Sequence, residues 1–86
     1  MLIFNKKYRI RKEADGGFIY DTKTGTVFVA NDSAAAICDF LKHKHTRQSI
    51  TRHLSGLYPE QEIAENSEVI DEFIAKAVEN EFFVDV

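Results

Sequence analysis

One run of residues constrains the fold more than any other, because it has the character of a β-strand and leads directly into a helix start. The run Thr26-Val27-Phe28-Val29-Ala30 contains no charge, proline or glycine, and its β-branched and aromatic residues favour an extended chain. The next three residues, 31–33, are Asn, Asp and Ser, which commonly cap a helix amino terminus. Exposed sheet edges usually carry charges or proline that block further pairing. A strand without such residues is therefore either a buried central strand or an open edge that binds an extended peptide.

The length and composition predict a single soluble domain over residues 1–86. The chain is 44% hydrophobic and 29% charged, and a domain of this size buries only about 60–65% of its unfolded surface. A deep catalytic cavity is therefore not expected. The net charge of −3 also argues against nucleic-acid binding, which needs a concentrated basic face.

The sequence predicts a cytoplasmic location and no membrane association. The apolar amino terminus, residues 1–4, is too short for a signal peptide, and no run approaches the roughly 20 apolar residues of a membrane span. Cys38 is the only cysteine, and its alanine-rich surroundings predict a small buried hydrophobic residue.

The amino-terminal third of the chain predicts a three-stranded antiparallel meander. Residues 8–13 alternate apolar and charged side chains, which is the period of a half-buried strand. Glycines follow at 16 and 17, residues 18–20 form a second strand, and Gly25 allows a tight turn before the third strand. The first strand carries three basic residues, Arg9, Arg11 and Lys12, which disfavour pairing with a further strand. The third strand carries no charged residue. This asymmetry favours an open edge at the third strand.

The rest of the chain predicts three helices. Asp32 or Ser33 is predicted to cap a first helix that runs to about Leu41, and Thr46 is predicted to cap a second helix that Tyr58-Pro59 closes. Residues 60–65 are predicted to be a polar loop with Ile63 as its only large apolar residue. The third helix starts after a cap at Asn66 or Ser67 and ends near Asn80. Residues 82–84 are predicted to be a short strand or an extended tail.

The predicted third helix has an apolar arc that covers nearly half of its circumference, wider than the stripe of an ordinary surface helix. Its centre is expected in the core, with Val69 or Val78 at the margin of a groove beside the open strand. The arc consists of Val69, Ile70, Phe73, Ile74, Ala77 and Val78.

Neither an enzyme nor a metal site is predicted. The chain has no phosphate-cradling glycine loop and no serine nucleophile motif, and Cys38 has no activating neighbour. The three histidines, at 43, 45 and 53, do not follow a zinc-ligand spacing and stand among basic residues that would repel a cation. They are interpreted as part of a solvated basic loop and helix start, and no cofactor is expected.

Several of these patterns together resemble the PqqD-like family, the peptide-recognition domains also called RiPP recognition elements. The resemblance extends over about residues 8–84, and its most specific part is the strand-Asn-helix junction followed by the threonine cap and the Tyr-Pro closure. It is carried by residues 11–13, 17–21, 24–31 and 35–37 and by Leu41, Thr46, Ile50, Leu54, Tyr58, Pro59, Phe73 and Ile74. The chain departs from the family pattern at Ala30, at His43 and at Asn80-Glu81.

The resemblance implies an α+β fold of winged helix-turn-helix type, in which an amino-terminal three-stranded antiparallel sheet packs on three helices. It also implies that the leader of a ribosomally made precursor peptide adds antiparallel to the third strand, in the cleft beside the third helix. The domain would be non-catalytic and would deliver the precursor to a radical SAM enzyme, a lasso leader protease or a cyclase. The implied peptide-binding residues are Thr26, Val27, Phe28, Val29, Ala30, Val69, Ile70, Phe73, Ile74, Ala77 and Val78.

Two other functions remain open at the level of the sequence. A winged helix can bind nucleic acid, although the third helix is acidic and the only basic patch lies at residues 42–52. The open strand can also pair with its counterpart in a second copy. The chain is accordingly expected to be a monomer or a weak dimer.

Overall fold

The computed structural model describes all 86 residues and shows an α+β fold with two antiparallel sheets and four helices. The strands are β1 (Leu2–Phe4), β2 (Tyr8–Glu13), β3 (Gly16–Asp21), β4 (Val27–Ala30) and β5 (Phe83–Asp85), and the helices are α1 (Asp32–Phe40), α2 (Arg47–Ser55), α3 (Glu60–Glu65) and α4 (Ser67–Glu79).

The predicted meander is confirmed as a sheet with the order β2-β3-β4, which places β4 at its edge. Phe18 lies opposite Val29, and Ile19 lies opposite Phe28. The strand begins at Val27, one residue later than predicted, but the backbone oxygen of Thr26 still accepts a hydrogen bond from the N–H of Asp21 at 2.9 Å. The alternative of a buried central strand is therefore wrong.

Thr46 caps the second helix as predicted, whereas Asn31 caps the first helix, one residue before the predicted cap at Asp32 or Ser33. The side chain of Asn31 accepts a hydrogen bond from the backbone N–H of Ala34, and the side chain of Thr46 accepts one from Ser49. Each cap satisfies a backbone N–H that the first turn of a helix leaves without a partner. Neither Asn66 nor Ser67 caps α4 in this way, since the Asn66 amide donates instead to the backbone oxygen of Glu62.

Residues 60–65 form the short helix α3, so the prediction of a polar loop there is wrong. Pro59 has a φ of −58°, which suits the start of a helix. The carboxylates of Glu60 and Glu62 stabilise the helix because they lie at the positive end of its dipole. Ile63 then packs against the core. The chain therefore has four helices where the sequence predicted three.

The sequence did not predict the second sheet, in which β1 pairs antiparallel with β5. Phe4 lies opposite Phe83, and both side chains are buried. Phe73 of α4 contacts the Phe83 ring edge to face, with a centroid distance of 5.8 Å. The carboxyl-terminal segment is thus a strand that connects α4 to the amino terminus.

Helix α4 ends in a Schellman motif whose left-handed residue is not glycine. The N–H of Phe82 donates to the oxygen of Ala77 at 2.8 Å, and the N–H of Glu81 donates to that of Val78 at 3.1 Å. Glu81 has φ 63°, the only positive φ outside glycine. His43 needs no such conformation, because α1 ends without a left-handed residue.

The core lies between the inner face of the meander and helices α1, α2 and α4. Helix α1 supplies five consecutive buried residues, 34–38, which include Cys38 as predicted. Ile19, Ile50, Leu54 and Ile74 approach α1 from the sheet and from the other helices.

Candidate functional site

The outer edge of β4 has backbone groups that no other element satisfies. Because Asp21 and Thr26 form a hydrogen-bonded pair, the alternation of an antiparallel ladder turns the N–H and C=O groups of Val27 and Val29 away from β3. None of the backbone hydrogen bonds outside the helices and strands involves these two residues. The open edge therefore offers donors and acceptors at the spacing that a further strand requires.

The start of α4 lies near the end of β4, and the residues that follow α4 lie near Phe28, so the two elements run in opposite directions. Near the end of β4, Asn31 and Asp32 border a cavity of about 320 Å³ that Val69 and Ile70 line from the start of α4. At the other end, the Phe28 ring packs on Phe82, just beyond α4, with a centroid distance of 5.1 Å. We call the space between the open edge of β4 and α4 the cleft.

The structure distinguishes the two margins of the α4 arc that the sequence left as alternatives. Val69 lines the cavity, and Val78 lies about 180° away around the helix. Val78 lies within about 20° of Asp71, which forms an ion pair with Arg47 at the start of α2. The Val78 side therefore faces α2, and the Val69 side, which includes Lys76, faces the cleft.

The predicted peptide-contact residues differ widely in exposure. Ala30, Ile74 and Ala77 are buried, and Ile70 and Phe73 are partly buried against the core. Val69 is 59% exposed and Val78 is 40% exposed. The structure therefore brings the backbone edge of Val27 and Val29 and the side chain of Val69 to the cleft, and it places Ile70 in the cleft wall. The other arc residues lie in the core or on the α2 side.

The cavity at the end of the cleft combines an apolar wall with an acidic rim. Leu54, Ile63 and Ile70 form much of the wall, and the carboxylates of Asp32 and Glu62 lie at the rim without a basic partner. The Tyr58 hydroxyl donates a hydrogen bond to Asp32. Burial and then this carboxylate raise the pKa of Tyr58 to about 12. The phenol therefore stays neutral and holds the Asp32 side chain at the rim.

Sequence reasoning missed these cavity residues, although two signals pointed to them. The Tyr58-Pro59 closure and Ile63, the one large apolar residue of its segment, both stand out in the sequence. The sequence indicated only a helix end at Tyr58-Pro59 and a loop anchor at Ile63. Tyr58 and Ile63 line the same cavity because α3 lies between α2 and α4 in the chain, and no local pattern predicts that arrangement.

In the basic segment at residues 42–52 and its neighbour His53, two cations form ion pairs and two histidine rings stack on an aromatic ring. Lys42 pairs with Asp39 at 2.8 Å, and Arg47 pairs with Asp71. The rings of His45 and His53 stack on the two opposite faces of the Phe40 ring, at centroid distances of 3.9 and 4.2 Å. These two histidines are therefore packed against α1, and the interpretation of a fully solvated loop is wrong for them.

No group of three or more histidine, cysteine, aspartate or glutamate side chains is placed to hold a metal ion. No helix combines the length and apolar character that crossing a membrane requires.

Comparisons with models of protein families, with curated proteins and with solved structures gave no match.

Proposed function

We propose that this chain is a non-catalytic recognition domain that binds the leader of a ribosomally made precursor peptide by strand addition to β4. The observation that carries the proposal is the open edge of Val27 and Val29 beside a cleft that ends in an apolar cavity. An extended peptide would pair with these two residues and pass along the Val69 side of α4. The bound precursor is then delivered to a peptide-modifying enzyme.

Backbone pairing alone gives little choice between peptides, so selectivity comes from the cavity. Its wall of Leu54, Ile63 and Ile70 suits one large apolar side chain of the peptide. The lone cation on this side of α4, Lys76, suits an acidic peptide residue. Ordering of the peptide costs several kcal/mol, and we expect a Kd in the nanomolar to micromolar range, roughly −12 to −8 kcal/mol.

The winged helix-turn-helix interpretation belongs to the same proposal. In this interpretation, helices α1, α2 and α4 would be the three-helix unit, and the meander of β2, β3 and β4 would be the wing. The resemblance of the sequence to the PqqD-like family supports this assignment, since that family places its leader at the corresponding strand and helix. Helix α3 and the β1-β5 sheet are additions to that scheme.

Nucleic-acid binding is less well supported. Helix α4 would be the recognition helix, yet its exposed surface carries Glu68, Asp71, Glu72 and Glu79. Phosphates within a Debye length of about 8–10 Å would be repelled by these carboxylates. Salt-sensitive duplex binding that is lost in Lys44→Glu and Arg52→Glu variants would favour that function over peptide capture.

The proposal is tested by titrating the protein with synthetic peptides. The peptides correspond to the amino-terminal segments of short open reading frames next to the chain's gene, with scrambled versions as controls. We expect the largest amide shift changes at residues 27–30 and at Val69 and Ile70, and small changes on the Val78 side of α4. A binding peptide whose shift changes fall on α2, with none at β4, would contradict the proposed site.

A further inference from the structure

The cleft between the open edge of β4 and α4 carries charges of opposite sign at two places along its length. The cavity near the end of β4 is lined by two acidic residues, Asp32 and Glu62, and by no basic residue. Lys76 is the only basic residue of α4. None of these three side chains forms an ion pair within the chain. All three residues are exposed, so a bound peptide can pair with each of them.

The two carboxylates form one negative site at the rim of the cavity. Asp32 begins α1 and accepts a hydrogen bond from the Tyr58 hydroxyl, whereas Glu62 belongs to α3. Burial, and then Asp32 and Glu62, raise the pKa of Tyr58 to about 12, so both carboxylates lie near this phenol. The wall beside them is apolar. A large apolar side chain that fills the cavity therefore leaves the carboxylates free to pair with a basic residue next to it in the peptide.

Lys76 lies farther along the same side of α4. It differs from Val69, which lines the cavity, by about 20° around the helix and by about 10 Å along its axis. An extended peptide advances about 3.3 Å per residue, so this distance corresponds to about three peptide residues. The positive charge and the acidic rim therefore contact different residues of one bound peptide.

The direction of the peptide follows from the sheet that it would extend. Strands β2, β3 and β4 all pair antiparallel, and antiparallel pairing is slightly more stable than parallel pairing. The amino-terminal part of an antiparallel peptide lies near Asn31, at the end of β4, where the cavity is. Its later residues lie toward Val27 and the end of α4. The acidic rim therefore contacts an earlier residue of the peptide than Lys76 does.

From this order of charges we infer that the bound leader has a basic residue next to its large apolar residue and an acidic residue about three positions later. The basic side chain pairs with Asp32 and Glu62, and the acidic side chain pairs with Lys76. This inference rests on the proposed strand addition to β4 and adds a source of selectivity, because backbone pairing is the same for every sequence. Complementary charges at the edge of an interface act mainly on the choice of partner.

A displayed library of random peptides, each about 12 residues or 40 Å long when extended, tests the inference. We expect the selected peptides to share a large apolar residue. Lysine or arginine should be enriched next to it, and aspartate or glutamate about three positions later. Amide shift changes at Val27, Val29 and Val69 on addition of a selected peptide identify the cleft as its binding site.

Variants of the chain assign each preference to its site. Asp32→Asn/Glu62→Lys is expected to bind a selected peptide at least about tenfold more weakly, and to regain affinity when the basic residue of the peptide becomes glutamate. Lys76→Glu is expected to regain affinity when the acidic residue of the peptide becomes lysine. Glu60→Gln/Glu65→Lys makes the same change in net charge as the first variant, away from the cavity. This matched control is expected to bind within about threefold of the original chain.

Circular dichroism checks that each variant is folded. Peptides that bind in the cleft with no preference for these charges would overturn the inference and leave strand addition to β4 intact. An acidic residue before the basic one would also overturn it, as would an equal loss of affinity in the matched control. A library that yields no peptide with shift changes at β4 would contradict both this inference and the proposed function.

Discussion

Gly17 of β3 lies directly against Ala35 of α1. A Cβ at residue 17 would stand 3.2 Å from the Cβ of Ala35 and 2.6 Å from the backbone oxygen of Arg11. Gly17 also lies opposite Ala30, the last residue of β4. Three small residues thus allow the sheet to approach the helix closely beside the end of β4.

Replacing Gly17 by alanine is expected to lower the free energy of unfolding by about 1–3 kcal/mol, since the added methyl group has no space between the backbone of Arg11 and the side chain of Ala35. Urea denaturation followed by circular dichroism measures the change. Gly56→Ala is the control, because a Cβ there meets only the oxygen of His53 at 3.4 Å. Its effect should stay within about 1 kcal/mol. Equal losses in the two variants would contradict the close packing.

Replacing Glu81 by glycine is expected to raise the free energy of unfolding by about 1 kcal/mol. The left-handed conformation at φ 63° is unfavourable for a residue with a side chain and costs glycine little. The glutamate makes no ion pair that the change would remove, and its backbone oxygen still accepts from the Asn5 amide. Thermal unfolding of Glu81→Gly beside Glu81→Ala measures the effect, and a more stable alanine variant would contradict the assigned backbone.

Replacing Val29 by proline is expected to abolish peptide binding, because proline removes a backbone N–H from the open edge. Val29→Thr keeps the N–H and a similar side-chain shape, so it should bind within about threefold of the original chain. Isothermal titration calorimetry with the same leader peptide compares the three proteins. Normal binding by a folded Val29→Pro variant would show that the peptide does not pair with β4.

The carboxylate of Asp21 is expected to make stability depend on acid pH. Its pKa is lowered from 3.8, first by a hydrogen bond from the Lys23 N–H at 2.8 Å and further by Thr24 and by the Lys7 ammonium, against the opposing effect of burial. A lowered folded-state pKa means that the stabilisation is present above pH 4 and is lost as the pH falls through the folded pKa.

The measurement compares the melting temperatures of the original chain and of Asp21→Asn between pH 2 and pH 7. Asparagine keeps the acceptor oxygen and removes the charge, so the original chain should melt higher at pH 7, and the difference should vanish at the acid end. A difference that does not change with pH would contradict an electrostatic role of Asp21.

The thiol of Cys38 is expected to react only when the chain unfolds. Burial raises its pKa to about 12, so little thiolate forms at neutral pH and no reagent reaches it. A disulfide reagent should react at least about 10³-fold more slowly with the native chain than with the chain in urea. Cys38→Ala/Gln48→Cys, which has an exposed thiol, is the control and should react quickly in both states.

Local patterns were enough to locate most of the secondary structure. The alternation in residues 8–13 and the cap at Thr46 each act through neighbours in the chain, so the sequence alone identifies them. Gly16 and Gly17, predicted to lie in the reversal, are instead the first two residues of β3. Pro59 is an ambiguous signal, because the sequence assigns it to the end of α2, whereas α2 ends earlier at Ser55 and Pro59 lies at the start of α3. The pairing of Phe4 with Phe83 joins residues almost 80 positions apart, and no local pattern reports such a contact.

The sequence by itself determined an α+β chain with an unguarded edge strand and a broad apolar helix, because charge and periodicity along the chain set which side chains avoid water. Tertiary structure alone decided which side of α4 borders the cleft. The Arg47–Asp71 pair and the cavity at Val69 orient the helix, and both depend on residues distant in sequence. The same holds for the acidic rim of the cavity, since Asp32 and Glu62 belong to different helices and no local pattern brings them together.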